Sequence, residues 1–365
     1  MRNLRISMAM VVLTLMAIGV VMIYSVTAIY AGQEFKDSAY FLKRHLIFLC
    51  AGAVCSLGVM AIDYRALNRH AKILVLSSVF LLLFLQVPGI SREIGGAKRW
   101  FQVMGFSFQP SELANLSVII YAASFLSQKG VKRIENFALG FLPVVLVLGG
   151  VGILVLIQPD LGTVVALSAV VFIMLVAAGA KLTHLLWIAL AAAPFLYFLI
   201  FSVPYRRTRI MAFLNPWADP LGSGFQLIQS QVAIGSGGLL GRGLGRSLQK
   251  LFYLPAGHTD FIFSLIGEEL GLFAAIAIVF LFALLFMYGC KVVKYAQDGF
   301  GAFLSLGIVS LITIKAVINI GVSIGIFPTK GLPLPFISYG GSALVFDMIG
   351  IALLLNISRF AENPC

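Results

Sequence analysis

Long apolar runs recur along the whole of this 365-residue chain. A helix needs about 17 to 25 predominantly apolar residues to cross a bilayer, and here 60% of the residues are hydrophobic while only 11% are charged. Because irregular backbone cannot face lipid, runs of this kind must be helical. The sequence therefore predicts a single polytopic, all-α integral membrane domain over residues 1–365 and excludes a soluble globular domain.

Hydropathy predicts ten transmembrane helices. They are placed at residues 7–30, 44–62, 72–88, 110–127, 137–157, 161–179, 184–203, 262–289, 299–324 and 339–358. An even number of spans puts both termini on one side, which carries twelve lysines and arginines against seven in the short loops opposite. Cytoplasmic loops hold the excess of such residues. We therefore expect cytoplasmic termini, one long outer loop at 204–261 and two shorter functional outer loops.

The net charge of +12 indicates an anionic partner. In so apolar a protein, anionic lipid or a phosphorylated substrate is favoured, and we expect no nucleic-acid partner. Six cations lie in the long outer loop, where arginines can bind pyrophosphate or another anion; the alternative is a solvated basic loop near lipid headgroups. Its glycine-rich stretch at 233–246 could bring backbone amides to a phosphate, although such stretches often only turn tightly.

Two acidic residues lie at the outer starts of predicted spans. A carboxylate beside hydrocarbon is costly unless it is paired, hydrated or neutralised, so Asp260 is a functional candidate, and the alternative is that it or Thr259 caps a helix. It stands above a face of small residues suited to helix packing, at positions 264, 267 and 271. Glu112 follows the cations Lys98 and Arg99 in the sequence; it holds a cation, positions this basic pair or contributes to ordinary capping.

The third outer segment, at 327–342, is dense in proline and glycine. Irregular backbone at membrane depth is tolerated only where it is buried in protein or lines a wet cavity. Inside the ninth predicted span, Lys315 and Asn319 are one turn apart and form either a satisfied internal polar pair or part of a cavity lining.

These motifs resemble those of the SEDS family of cell-wall glycosyltransferases over nearly the whole chain. The resemblance is carried by residues 96–100, 108–112, 226–245, 258–263, 267–271, 319–321, 328–331 and 335–341. Residues 215–220, 249–255, 266–269 and 328–331 are more similar to the division member of the family than to the elongation member. The chain departs from the family at Ala256 and Gly257, where a glutamate usually precedes the His-Thr-Asp motif.

The resemblance implies an inverting glycosyltransferase that polymerises lipid II outside the bacterial cytoplasmic membrane. It implies a multi-pass protein at the division septum, with a class B penicillin-binding protein and other division membrane proteins as partners. Asp260 corresponds to the family's essential outer aspartate and would be the general base. The candidate substrate-binding residues are Lys98, Arg99, Glu112, Arg206, Arg207, Arg242, Arg246, His258, Lys330 and Ser338.

The residues specify no cofactor. A divalent cation, magnesium or manganese, could neutralise charge on a departing pyrophosphate in place of arginine and lysine. Two functions of other classes stay open. A lipid II flippase would use the same basic outer mouth but needs a path across the bilayer, and a non-catalytic division scaffold would not explain the polar mouth.

Overall fold

The computed structural model describes residues 1–87, 91–94, 97–103, 106–129, 134–250, 254, 257–329 and 331–361. The helices are α1 (Arg2–Phe35), α2 (Tyr40–Ala61), α3 (Arg65–Phe84), α4 (Pro110–Ser127), α5 (Leu142–Ile157), α6 (Leu161–Ala177), α7 (Leu182–Phe201), α8 (Pro204–Leu214), α9 (Phe225–Gly237), α10 (Ile262–Tyr295), α11 (Gly299–Ser323) and α12 (Gly341–Phe360). A π-helical turn, Phe137–Phe141, runs directly into α5.

Seven helical segments of the described chain are long and apolar enough to cross a membrane. They are α1, α2, α3, the continuous segment Phe137–Ile157, α10, α11 and α12. The helical fold class is confirmed, and helices overlap all ten predicted spans. The count of ten crossings stays a prediction, because α4, α6 and α7 fall outside this set of seven.

A small sheet between α3 and α4 departs from the all-helical prediction. Strands β1 (Ser91–Ile94), β2 (Ala97–Val103) and β3 (Phe106–Phe108) pair antiparallel in that order, with Phe101 opposite Phe108. Hydropathy finds spans by length, so it missed strands of three to seven residues that lie in a loop. The sheet carries the backbone of Lys98 and Arg99, whose side-chain roles the sequence raised.

The centre of the bundle is formed by α11 and α12. Of the most apolar 18-residue stretch, 61% is buried in α11 and 72% in α12, more than in any other of the seven segments. Helix α11 packs against α4, α6 and α10, while α12 packs chiefly against α2. Residues at these two helices therefore contact protein on most sides, which makes them suitable supports for a site at one end of the bundle.

A buried ion network joins three helices inside the bundle. The ammonium of Lys315 in α11 lies 2.7 Å from Glu112 Oε2 in α4 and 3.0 Å from Asp347 Oδ1 in α12. All three side chains are at most 5% exposed. The predicted pairing of Lys315 with Asn319 is wrong: the ammonium of Lys315 binds Glu112 and Asp347, whereas the Asn319 amide nitrogen donates to two backbone carbonyls.

Helix α9 packs on the small-residue face of α10. The hydroxyls of Ser230 and Ser264 are 2.6 Å apart, and a Cβ added at Gly237 would lie only 1.9 Å from the carbonyl oxygen of Gly267. Small residues allow two helix backbones to approach this closely. The helix-packing interpretation of this face is therefore confirmed.

The glycine-rich segment after α9 fills a break in α10. Gly271 has φ 81° and ψ −176°, which interrupts the helix. The amides of Arg242 and Gly243 donate to the carbonyls of Glu268 and Glu269, and that of Leu272 donates to Gly238. The amides of Arg242 and Gly243 thus bond to helix carbonyls that the break leaves without a partner in the helix, and they are not presented to a ligand. The hypothesis that they bind phosphate is therefore not supported, and the tight-turn alternative describes the segment.

Candidate functional site

Asp260 lies in the turn at 257–261 that leads into α10, and its side chain is half-buried. The N-cap residue of α10 is Phe261, and within the described residues no side chain caps this helix. The prediction that Thr259 or Asp260 caps the helix is therefore wrong. The carboxylate of Asp260 is available for interactions with groups that other segments bring to it.

Hydrogen bonds from α11 and from the segment at 331–340 fix the turn that carries Asp260. The side-chain amide of Asn319 donates to the carbonyls of Asp260 (2.9 Å) and Leu332 (2.8 Å). The Ser338 hydroxyl donates to the Thr259 carbonyl at 2.6 Å. These hydrogen bonds fix the backbone of the turn. None of them involves the carboxylate of Asp260.

Ser338 therefore forms hydrogen bonds with backbone groups in the described structure. Its side chain is buried, donates to Thr259 and accepts from the amide of Leu334 at 2.8 Å. The sequence placed Ser338 among the substrate-binding residues, and this geometry instead gives it a positioning role.

Charged groups from three other segments act on Asp260. Burial raises the pKa of Asp260 to about 6, although the positive charges of Arg209 and Arg99 and a hydrogen bond from Thr259 act to lower it; the negative charge of Asp160 adds to the rise. A carboxyl with such a pKa is mostly ionised at neutral pH yet is a better proton acceptor than an ordinary aspartate.

The two arginines are oriented by neutral acceptors. Arg99 Nε donates to the carbonyl of Gln158 at 2.8 Å, and Arg209 Nη1 donates to the carbonyl of Thr329 at 3.0 Å. Bonds to carbonyls fix a guanidinium without cancelling its charge. The site thus combines a proton acceptor with positive charge that can stabilise a developing anion.

His258 packs in an aromatic cluster beside the turn. Its ring centroid is 5.1 Å from that of Phe41 and 5.9 Å from that of Tyr339. Burial lowers the pKa of His258 to about 4, so the ring is neutral at physiological pH. A neutral imidazole can donate or accept a hydrogen bond but adds no charge for an anion. Its assignment as a substrate-binding residue stays a prediction.

The comparisons with known proteins cover almost the whole chain. The family described as cell cycle proteins, comprising FtsW, RodA and SpoVE, matches residues 5–363. The chain belongs to the FtsW/RodA/SpoVE family. The motif resemblance found in the sequence is thereby confirmed.

Two relatives and one solved structure illustrate the similarity. A probable peptidoglycan glycosyltransferase FtsW from Geobacter metallireducens is 45% identical, over 95% of this chain and 92% of its own. Stage V sporulation protein E from Bacillus subtilis is 41% identical, over 97% of both. A chain of a solved peptidoglycan synthase complex, described as coordinating polymerization and crosslinking, is 31% identical, with a TM-score of 0.78 over 98% of both chains.

In this FtsW/RodA/SpoVE chain, the cations predicted from the long loop do not form one cluster. Arg206 Nη2 contacts the carbonyl of Leu156 near the end of α5 at 3.5 Å, and Arg207 is exposed on α8. Their assignment to substrate binding stays a prediction. The arginine of α8 whose charge acts on Asp260 is Arg209.

Arg242 and Arg246 belong to a different part of the fold. Arg242 Nε donates to the carbonyl of Ser236 at 3.1 Å, and its Nη1 is 3.9 Å from Glu268, which is well inside α10. Arg246 is exposed on the same glycine-rich segment. The structure thus does not bring these two arginines into the described surroundings of Asp260, and their assignment to substrate binding stays a prediction.

Glu112 holds a cation, as one of the sequence interpretations proposed, but the cation is Lys315 inside the bundle. With 4% exposure it does not lie at an open mouth, and its assignment to substrate binding gains no support. Lys330 lies outside the described residues, as does the side chain of Lys98.

Sequence reasoning missed Arg209 and the positioning role of Asn319. Arg209 was one of three arginines within four residues on α8, and nothing local separates it from Arg206 and Arg207. A helical projection would have shown that these arginines point in different directions, but only the fold shows which one approaches Asp260. The side-chain amide of Asn319, a polar group one turn from a buried lysine, was the available signal for a supporting contact.

Proposed function

We propose that this chain is a peptidoglycan glycosyltransferase that polymerises lipid II into glycan strands during septal cell-wall synthesis. Its relatives named as probable peptidoglycan glycosyltransferases match over more than nine-tenths of both chains, which supports this function. The observation that carries the proposal is the half-buried Asp260, whose pKa is raised to about 6 beside the arginines Arg99 and Arg209.

In the proposed reaction, Asp260 is the general base and configuration at the donor carbon is inverted. The 4-hydroxyl of the acceptor sugar attacks the anomeric carbon of the lipid-linked donor, and its proton passes to Asp260. The bond between that carbon and the pyrophosphate oxygen breaks, and the electron pair leaves with undecaprenyl pyrophosphate. Because this leaving group is already a stable anion, the step needs no general acid of the kind glycosidases use.

The arginines at the site would stabilise the leaving group. Arg99 and Arg209 are held by carbonyls and lie where their charge acts on Asp260. Preorganised positive charge of this kind lowers the energy of a transition state in which negative charge develops.

A divalent cation is compatible with the site and stays part of the proposal. The described residues contain no group of three or more His, Cys, Asp or Glu side chains arranged for a metal. Magnesium is, however, commonly held by one or two carboxylates together with substrate phosphates. Such an ion, held chiefly by the phosphates of the substrate, would neutralise charge on the pyrophosphate while Asp260 stays free to accept the proton.

We further propose that ten helices cross the bacterial cytoplasmic membrane, with cytoplasmic termini and Asp260 at the outer end. A class B penicillin-binding protein is the expected partner, and other division membrane proteins are expected at the septum. The distribution of lysine and arginine and the similarity to a chain of a peptidoglycan synthase complex support this arrangement.

The test is glycan polymerisation by the chain purified with its penicillin-binding partner and supplied with lipid II. Asp260→Asn keeps the shape of the side chain but removes the base, so the rate should fall at least about 100-fold. Asp37→Asn is the matched control, because Asp37 lies at the surface, where it pairs with Lys43 and accepts from the amide of Ala39.

Equal strand synthesis by wild type and Asp260→Asn would remove Asp260 from catalysis. If neither forms strands where a control polymerase works, the chain is a flippase or a scaffold. Loss of lipid transport in Asp260→Asn would then favour the flippase, and unchanged behaviour in every assay would favour the scaffold.

A further inference from the structure

A polar cavity of about 390 Å³ lies between α8, the turn that leads into α9, and Thr329. Its size is within the usual range for small-molecule sites, about 300 to 1,000 Å³. The residues that line it include Arg209, Gln226 and Thr329, which supply a guanidinium, a carboxamide and a hydroxyl. Donors of this kind suit an anion with several oxygen atoms.

Arg209 is common to this cavity and to the site at Asp260. It lines the cavity, donates through Nη1 to the carbonyl of Thr329 at 3.0 Å, and acts electrostatically on Asp260. Two residues after Thr329, a Cβ added at Gly331 would lie 3.2 Å from Asp260 Oδ2. Thr329, which lines the cavity, and Gly331, which approaches the carboxylate, are therefore only two positions apart in the sequence.

The acidic residue nearest in sequence to the cavity wall is already engaged. Asp219 Oδ2 accepts from the amide of Ser223 at 2.7 Å, and hydrogen bonds from this turn hold the pKa of Asp219 below its usual range. Its charge is directed into the turn, while Arg209 supplies the positive charge of the lining. The balance of charge at the wall thus favours an anion.

We propose that this cavity binds the pyrophosphate group of the lipid-linked sugar donor, with Arg209 as its principal cationic contact. This inference rests on the proposed function and gives it a leaving-group site. It makes Arg209 the cation shared by the two sites, because this residue lines the cavity and its charge also acts on Asp260. Gln226 and Thr329 would supply hydrogen bonds to phosphate oxygens.

The test is binding of inorganic pyrophosphate to the full chain in nanodiscs of zwitterionic lipid, measured by calorimetry. Wild type should bind. Arg209→Gln should weaken binding about tenfold or more, since a charge-assisted contact is lost, and Gln226→Leu should weaken it several-fold. Arg209→Lys keeps the charge and should bind more tightly than Arg209→Gln, which a purely structural role of Arg209 would not produce.

Two matched variants test the location. Arg359→Gln makes the same change of net charge at an exposed position at the end of α12 and should bind like wild type. Arg207→Gln changes an exposed arginine on the same helix. If Arg207→Gln weakens pyrophosphate binding as much as Arg209→Gln does, the anion is attracted by the overall positive charge of the loop, and the cavity assignment is wrong.

The phosphate could also belong to an anionic lipid. Nanodiscs that contain phosphatidylglycerol distinguish the two sources: pyrophosphate affinity that falls as this lipid is added, in wild type but not in Arg209→Gln, would make the cavity a headgroup site and overturn the donor assignment. A different set of results would overturn the proposed function. Asp260→Asn should bind pyrophosphate at least as well as wild type while losing polymerisation, and an inactive wild type that still binds would overturn the function alone.

Discussion

At the scale of single residues, the ionisation of Asp260 should set the acid limb of the pH profile. The base must be deprotonated, so the rate should rise with pH through about 6, the pKa of Asp260. Arg99→Gln removes a charge that lowers this pKa and should move the limb to higher pH. Asp160→Asn removes a charge that raises it and should move the limb to lower pH. Initial rates of lipid II consumption from about pH 5 to 8 measure both shifts.

The opposite signs of these shifts make the test specific. A variant that merely perturbs the fold lowers the rate at every pH without moving the limb. Asparagine is also a good N-cap residue, so Asp160→Asn should keep the cap that Asp160 provides to α6. A shift in the same direction for both variants would mean that another group controls the limb.

At the scale of helices, Lys315 should be a stability determinant that couples to the site. Lys315→Met leaves Glu112 and Asp347 buried without their cation, which typically costs about 3 to 5 kcal/mol. The melting temperature in detergent should fall clearly. Asn319 lies one turn away on α11 and donates to the carbonyl of Asp260. A disturbance of α11 at Lys315 should therefore reach the turn that carries Asp260, and the rate of polymerisation should fall together with the melting temperature.

Removing the whole network is the matched control. In the triple variant Lys315→Met, Glu112→Met and Asp347→Leu, no unpaired charge remains, and replacing a buried ion network by apolar residues of similar volume is often nearly neutral. Its melting temperature should recover most of the loss seen for Lys315→Met. If the triple variant is less stable than the single one, the network contributes through its hydrogen bonds rather than through charge balance.

Helices and their partners were not equally predictable from the sequence. The bounds of α4 coincide with the span predicted at residues 110–127, and the packing face of α10 at Ser264 and Gly267 follows from its small residues. The pairing of Lys315 with Glu112 joins positions 203 residues apart, and no local pattern specifies such a contact. For the same reason Asp260 was identified from its motif, whereas Arg209 emerged only when the fold placed α8 beside it.

At the scale of the whole molecule, the interior should block the passage of a sugar headgroup through the chain. The hydrocarbon core of a bilayer is about 30 Å thick. Within the described residues, Lys315 is bound to Glu112 and Asp347 at the centre of the bundle. A cavity of about 210 Å³ between α2, α3, α4 and α12 has mainly apolar walls, with Leu113 and Ile349 among them, which suits an acyl chain better than a sugar.

The chain in liposomes should therefore polymerise lipid II presented at its active face without moving the lipid between leaflets. Fluorescent lipid II placed in the inner leaflet should reach an external quencher no faster than in protein-free liposomes. Transport by wild type that is lost in Lys315→Met would contradict this expectation, because it would show that the central ion network opens to a polar headgroup. Transport unchanged in that variant would equally contradict it, and would place the path outside the network.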